Sequence, residues 1–193
     1  MGVRLVVAAS TSLDGVMQAP ASPDEDRDGD FRYGGWMLPY VDAGVDEAMA
    51  ATFAGAGSML LGRRTHDILA AFWPTHPEEP GAEHLNALRK YVVTRRGITT
   101  DWHNTEVLHG DAALTVEDLK ARETSTIVVQ GSTELIRTLA EARLVDEVHL
   151  FVFPVVLGAG KRFMAGPPAV GLRLLRSSTS QSGVVSSAYA VEH

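Results

Sequence analysis

Residues 126–163 read TIVVQGSTELIRTLAEARLVDEVHLFVFPVVLGAGKRF, and the fold is decided there. Thr126–Gln130 is a short unbroken β-branched run, the pattern of a strand buried on both faces. Gly131 turns the chain. Ser132 then opens a helix over TELIRTLAEARL, where apolar residues recur at helical spacing. Val145–Leu157 is a second, longer strand pattern, with Pro154 marking a bulge or the strand's end. Gly158-Ala159-Gly160 is a turn.

The same alternation runs outward. Val3–Ala9 is another unbroken apolar run, followed by an Asp14-Gly15 turn and a long acidic, Gly- and Pro-rich loop over residues 18–36. Loops of that length are uncommon in compact domains and are often lids. Val45–Ala56 reads as a helix, Ser58–Gly62 as a strand, and Arg63–Phe72 as a helix stopped by Trp73-Pro74. Glu83–Arg89 has helical character. Lys90–Arg95 reads as a strand, Glu106–Leu108 as a weaker one, and Thr115 as the N-cap of a helix over VEDLKAR. Downstream, Leu172–Ser180 and Val184–Val191 form a hairpin around Ser182-Gly183. Strands alternating with helices, then a terminal hairpin, predict an α/β fold. Its central sheet is mixed but mostly parallel, flanked by helices, with a C-terminal antiparallel hairpin, in one domain over residues 1–193.

The chain has 193 residues, a formal net charge of −7 and no cysteine. Disulfides, cysteine nucleophiles and thiolate metal sites are excluded. The acidic balance argues against duplex nucleic acid and anionic membrane as partners, although a local cationic cluster can still bind an anion. The N-terminus lacks the pattern of a signal peptide, and no apolar run reaches membrane-spanning length. The expected location is the cytoplasm. The histidines show no metal-ligand spacing, and no serine sits in a Gly-x-Ser-x-Gly elbow.

Three strand-to-helix or strand-to-loop junctions carry the chemistry. Gly62-Arg63-Arg64-Thr65 sets two guanidiniums and a hydroxyl at a helix start. Thr94-Arg95-Arg96 ends a strand. Gln130-Gly131-Ser132-Thr133 turns a strand into a helix. Ligands of open α/β sheets bind at the carboxyl ends of strands, and helix N-termini favour anions. One such junction alone is usually a plain turn. Three together suit a ligand with several phosphates.

The order SLDGV, LLGRRT, KYVVTR, VVQGSTELI, VDEVHLFVFPVVLGAGKRF resembles the dihydrofolate reductase-like superfamily over roughly residues 3–192. It is closest to the reductase domain of the bifunctional riboflavin-biosynthesis deaminase-reductase (RibD) and its stand-alone relatives. The resemblance implies an oxidoreductase that uses NADPH on a small pterin- or pyrimidine-like heterocycle. It implies that Ala8 and Ala9 meet the nicotinamide, and that Gly15 and the loop from Asp14 to Trp36 close over it. Gly62, Arg63, Arg64 and Thr65 would meet cofactor phosphates, and Thr94 and Arg95 would flank the 2′-phosphate. Gln130, Gly131, Ser132 and Thr133 would cradle the pyrophosphate. It further implies a homodimer, with Leu150–Leu157 as interface material.

Departures accompany the resemblance. The Gly-Gly pair of dihydrofolate reductases, joined there by a cis peptide, is Gln130-Gly131 here. Glu134 places a negative charge beside the expected pyrophosphate. Two alignments put the proton-relay carboxylate at Asp46 or at Asp42, and both also suit a helix start. The aromatic expected one turn later is Ala50, and the arginine expected to grip a folate tail is Leu88. Trp36 and Tyr40 are candidates for lining a planar substrate, with plain packing as the alternative. Lys161 and Arg162 read as a solvated hairpin end or an anion contact. A nucleotide-binding module without turnover and a true dihydrofolate reductase stay open as other readings.

Overall fold

The computed structural model describes residues 3–166 and 169–193. In chain order the elements are β1 (Leu5–Ser12), α1 (Ala43–Phe53), β2 (Ala56–Gly62), α2 (Arg63–Phe72), α3 (Ala82–Ala87), β3 (Arg89–Thr94) and β4 (Thr105–His109). There follow α4 (Ala112–Arg122), β5 (Thr126–Gln130), α5 (Thr133–Glu141), β6 (Glu147–Phe153), β7 (Gly171–Thr179) and β8 (Val185–Glu192). All eight strands join one sheet in the order β4-β3-β2-β5-β1-β6-β8-β7. The first six run parallel, and β8 pairs antiparallel with both β6 and β7. The β5–α5–β6 unit brackets β1, which sets Ala8 beside Gln130 on one side and His149 on the other.

Successive residues of a strand face opposite sides, and β1 shows the consequence. Leu5, Val7 and Ala9 join Leu60, Ile127 and Val129 in a core covered by α4 and α5 residues such as Leu119, Ile136 and Leu139. Val6 and Ala8 face the other way, toward Phe53 of α1. Beside them Met59 and Leu61 pack on Leu69 and Ala70 of α2. Both faces are dry, which is why these strands read as unbroken apolar runs.

The boundaries shift where a side chain caps a helix. α1 starts two residues earlier than its apolar pattern, because Asp42 accepts from the Val45 N–H at 3.0 Å. In α4 the cap is Asp111, which accepts from the Ala113 and Leu114 amides. Thr115, the expected cap, instead turns its hydroxyl back to the Asp111 carbonyl at 2.6 Å. Pro154 ends β6, as a residue lacking an N–H would.

Two motifs far apart in sequence prove to be partners. The Asp14 carboxylate accepts from the Ser12 hydroxyl and from the Leu157 and Gly158 amides. The Ser12 bond, with those amides, holds its pKa well below the usual carboxylate range. Phe163 N–H donates to Gly15 O and Met17 N–H to Lys161 O, each at 2.9 Å. The SLDG turn and the VLGAGKRF turn thus form one platform at the carboxyl end of β1 and β6. No helix among the described residues is long and apolar enough to cross a membrane.

Candidate functional site

A cavity of about 610 Å³ lies over the carboxyl ends of β1, β2 and β5. Ala8 and Ser10 form part of its floor, Gly62–Thr65 and Gln130–Leu135 its walls, and residues 17–20, 25, 26 and 28 its cover. This is where an open parallel sheet offers a crevice.

The helices around it are treated unequally. Among the described residues, four α-helices have nine or more residues. The two that do not start at the cavity, α1 and α4, are capped by aspartates. The two that start on it, α2 and α5, have no side-chain cap. Their first amides, and the positive ends of their dipoles, are therefore available to an anion.

Ser132 explains part of this. It stands at the N-cap position of α5, yet its hydroxyl is turned across the cavity wall. It accepts from the Gly62 N–H at 2.8 Å and donates to Thr65 Oγ1 at 2.9 Å. One hydroxyl thus ties the two helix starts together. The cost is backbone strain at Ser132, whose φ of 65° is left-handed, next to Gly131 at 57°, which takes that region freely. Such conformations in a non-glycine residue gather at functional sites. The Gln130–Gly131 peptide is trans, so the wall is built without the cis bond of the resembled family.

Charges surround the cavity in pairs. Arg63 meets Asp67, Arg137 meets Glu134, and Arg162 meets Asp14. Arg64 and Lys161 meet Asp26 and Asp28 from the covering loop. Glu134, expected to trouble a pyrophosphate, is 88% exposed and engaged with Arg137 at 2.9 Å. Hydrogen bonds from Lys161, then Arg64, hold Asp28 down at about 2. Burial pushes Asp26 up, but the Lys161 bond, the Asp28 amide and the nearby cations outweigh it and leave it lowered. Glu25 goes the other way: burial raises it in spite of bonds from the Ala21 and Ser22 amides.

Of the residues singled out from sequence, the structure brings Ala8, Gly62, Arg63, Arg64, Thr65, Gln130, Gly131, Ser132 and Thr133 to the cavity. Ala9 is not among them. It alternates onto the opposite face, in the core under α4 and α5. Gly15 stays in its turn at φ 81° and does not line the cavity. Thr94 is buried and uses its hydroxyl on the Arg96 backbone. Arg95 is exposed just past Val93, the partner of Gly62, and so stands beside the cavity wall without lining it.

The two candidate acids lie elsewhere. Asp42 is held by capping: besides Val45, it accepts from the Ser182 N–H at 2.8 Å, which fastens α1 to the β7–β8 hairpin. Those two amides hold its pKa at about 2. Asp46 is exposed in the first turn of α1 and also lines none of the cavity. Trp36 and Tyr40 anchor the loop and do not line the cavity. Both pack edge-on against Phe153, and the Trp36 indole N–H donates to Gln18 O at 2.7 Å. Leu88 is buried at the end of α3, and the Arg89 guanidinium reaches the Tyr91 hydroxyl, so neither offers a folate-tail clamp.

Lys161 and Arg162, read from sequence as a solvated hairpin end or an anion contact, both line the cavity, whereas sequence reasoning missed Ser10, Gln18, Asp26 and Asp28. The density of acids in a loop already read as a lid was the signal for Asp26 and Asp28. A neighbouring hollow of about 580 Å³, lined by Phe31, Arg32 and Tyr33, shares Gln18, Asp28 and Lys161 with the main cavity. A third hollow of about 410 Å³, between α1 and the hairpin, holds His149. Both of its ring nitrogens are engaged, by Thr52 and Glu147 at 3.1 Å each.

Comparison with known proteins agrees with this architecture. The model of the RibD C-terminal domain family matches residues 3–186. The Bacillus subtilis protein YyaP is 28% identical, covering 96% of this chain and 94% of its own length. YwjB from the same organism is 27% identical, covering 81% and 80%. Among solved structures, a Shewanella protein named for riboflavin biosynthesis superposes with a TM-score of 0.74 at 18% identity, covering all of both chains. A pyrimidine reductase-like protein from Corynebacterium diphtheriae gives 0.66 at 14%, covering 99% of this chain and 92% of its own. Dihydrofolate reductase from Enterococcus faecalis, solved with NADP(H), gives 0.64 at 14%, covering all of both chains. The match over almost its whole length shows that this chain, on a dihydrofolate reductase-like fold, belongs to the RibD C-terminal domain family.

Proposed function

We propose that the cavity binds NADPH and that the protein is a reductase acting on a small pterin- or pyrimidine-like heterocycle. One observation carries this reading: α2 and α5 start uncapped on the same cavity, joined by the Ser132 hydroxyl, whereas α1 and α4 carry aspartate caps. Two adjacent helix N-termini suit a diphosphate bridge. The donor set fits the rest of the group. Ala8, small and on the cavity floor, leaves room for a flat ring above the sheet, and Arg95, exposed beside the cavity wall, would favour the 2′-phosphate of NADPH over NADH.

When bound, the cofactor supplies a hydride. The chain's own part is to orient the ring on β1, to hold the phosphates at α2 and α5, and to exclude water with the 17–28 loop. With Asp42 and Asp46 away from the cavity, neither donates the proton on this reading. The same placement favours the second reading, a nucleotide-binding module without turnover. The two are separated by mixing protein, NADPH, and a panel of ribitylamino- or ribosylaminopyrimidines and pterins, dihydrofolate included. Loss of nicotinamide absorbance with an aminopyrimidine and not with dihydrofolate is the expected result. Binding without oxidation across the panel would favour the module.

The protein acts as a homodimer on this account. The interface material expected at Leu150–Leu157 lies elsewhere, because Leu150–Phe153 sits inside the sheet between β1 and β8; β7 is the outer strand on that side, and all nine of its residues are exposed. Leu172, Leu174 and Leu175 are among them. A long exposed edge with three leucines among arginines and hydroxyls can pair with a second copy. Sedimentation equilibrium at micromolar concentration should give a dimer, and Leu174→Arg should weaken it about tenfold or more. A wild-type monomer would remove this element.

A further inference from the structure

The loop over residues 18–30 lays a strap of carboxylates on the cavity's rim. Lys161 Nζ lies 2.7 Å from Asp26 and 3.0 Å from Asp28. Arg64 Nη1 lies 3.1 Å from Asp28 and 3.3 Å from Asp26. Two carboxylates thus sit between a guanidinium at the start of α2 and an ammonium from the turn after β6. Gln18, buried, fixes the strap's backbone: its amide donates to Asp28 O at 2.8 Å and Asp26 O at 3.2 Å, and its carbonyl accepts from the Lys161 N–H at 3.0 Å.

An ammonium and a guanidinium facing one spot are also what a diphosphate would meet, beside the two uncapped helix starts. We propose that Asp26 and Asp28 are an internal competitor for an anion subsite formed by Arg64 and Lys161, so that a diphosphate-bearing ligand enters by displacing the strap. The nature of the ligand rests on the cofactor reading; the competition rests on the ion pairs alone. Partly exposed ion pairs are individually weak and exchangeable. A diphosphate would keep both cations and add the amides of α2 and α5, which the carboxylates do not reach.

The position of the strap gives displacement a second effect. Gln18, Asp28 and Lys161 are shared by the main cavity and the hollow lined by Phe31 and Tyr33. Pulling Asp28 away removes part of the wall between them. The anionic ligand would then open the aromatic hollow, which makes its binding the first step of an ordered sequence.

Inorganic pyrophosphate is the probe, measured by calorimetry on wild type, D26N/D28N and E78Q/E79Q. The last variant removes the same charge at residues that do not line the cavity. D26N/D28N should bind pyrophosphate about fivefold or more tightly than wild type, and E78Q/E79Q should not. Lys161→Met should weaken pyrophosphate and speed amide exchange in residues 24–28 with no ligand present. Pyrophosphate itself should speed exchange there in wild type, opposite to a lid that tightens on its ligand. The proposal is overturned by slower exchange with pyrophosphate, by equal gains in both double variants, or by no pyrophosphate binding to any of the proteins. A parallel NADPH titration separates the two claims. NADPH binding that D26N/D28N leaves unchanged, with pyrophosphate also unchanged, would end the competition and keep the cofactor. Pyrophosphate behaving as expected while NADPH fails to bind would do the reverse.

Discussion

Gly131→Val should lower NADPH affinity about a hundredfold or more, equal to roughly 3 kcal/mol, while the protein still folds. The backbone there has φ 57°, and a Cβ would stand 3.1 Å from Thr65 Cγ2 and 3.3 Å from Thr65 Oγ1. A β-branched residue in the left-handed region is an outlier costing about 1–3 kcal/mol. The relief available is to push Thr65 away or to flatten the turn. Either breaks the Ser132–Thr65 bond and moves the start of α5 away from that of α2. Isothermal calorimetry reads the affinity, and circular dichroism reads the fold. A folded variant that keeps wild-type affinity would show that the α5 start does not hold the cofactor.

Gly160→Ala should cost about 2–5 kcal/mol of stability, from left-handed strain and overpacking together. At φ 122° its Cβ would lie 2.6 Å from Val16 Cγ1 and 2.8 Å from the Phe31 ring. Both neighbours are buried in the cluster that anchors the loop, with Trp36 and Phe153 behind them, so neither can retreat. Urea denaturation should show the midpoint falling by about 1–2 M for a chain of this size. The Trp36 signal should be the first to change, since its indole is bonded to Gln18 O at the loop's base. An unchanged midpoint would mean that the platform under the loop is loosely packed.

The sheet was legible because its strands are dry on both faces. Val3–Ala9, Thr126–Gln130 and Val145–Leu157 announce themselves without reference to anything distant, and βαβ order then fixes the parallel arrangement. Helix starts were less so, because a cap is chosen by geometry and not by the apolar pattern: Asp42 and Asp111 each begin their helix ahead of it. The cavity-wall residues were readable, since Gly62–Thr65 and Gln130–Thr133 are local strand-to-helix turns whose residues lie within four positions of one another. The cover was not. Asp26 and Asp28 meet Lys161 across most of the chain, and nothing local tells a solvated acid from one that spans a cavity. The alternation of β1 could have excluded Ala9, because only one of two neighbours on a strand can face a ligand. Trp36 and Tyr40 looked like ligand contacts because aromatic residues in a loop are ambiguous until their packing is seen; here both lie against Phe153.

The central claim is that the two uncapped helix starts, with Arg95 beside them, form a binding site for NADPH. It is tested most directly by titrating the purified protein with NADPH and with NADH, following the quenching of Trp36, Trp73 and Trp102, and repeating with Arg95→Ala. Saturable NADPH binding at least about tenfold tighter than NADH is expected, a preference that Arg95→Ala abolishes by removing one charge pair with the 2′-phosphate. Folded protein that binds neither nucleotide would contradict it, and the family's fold would then be carrying another ligand at this cavity.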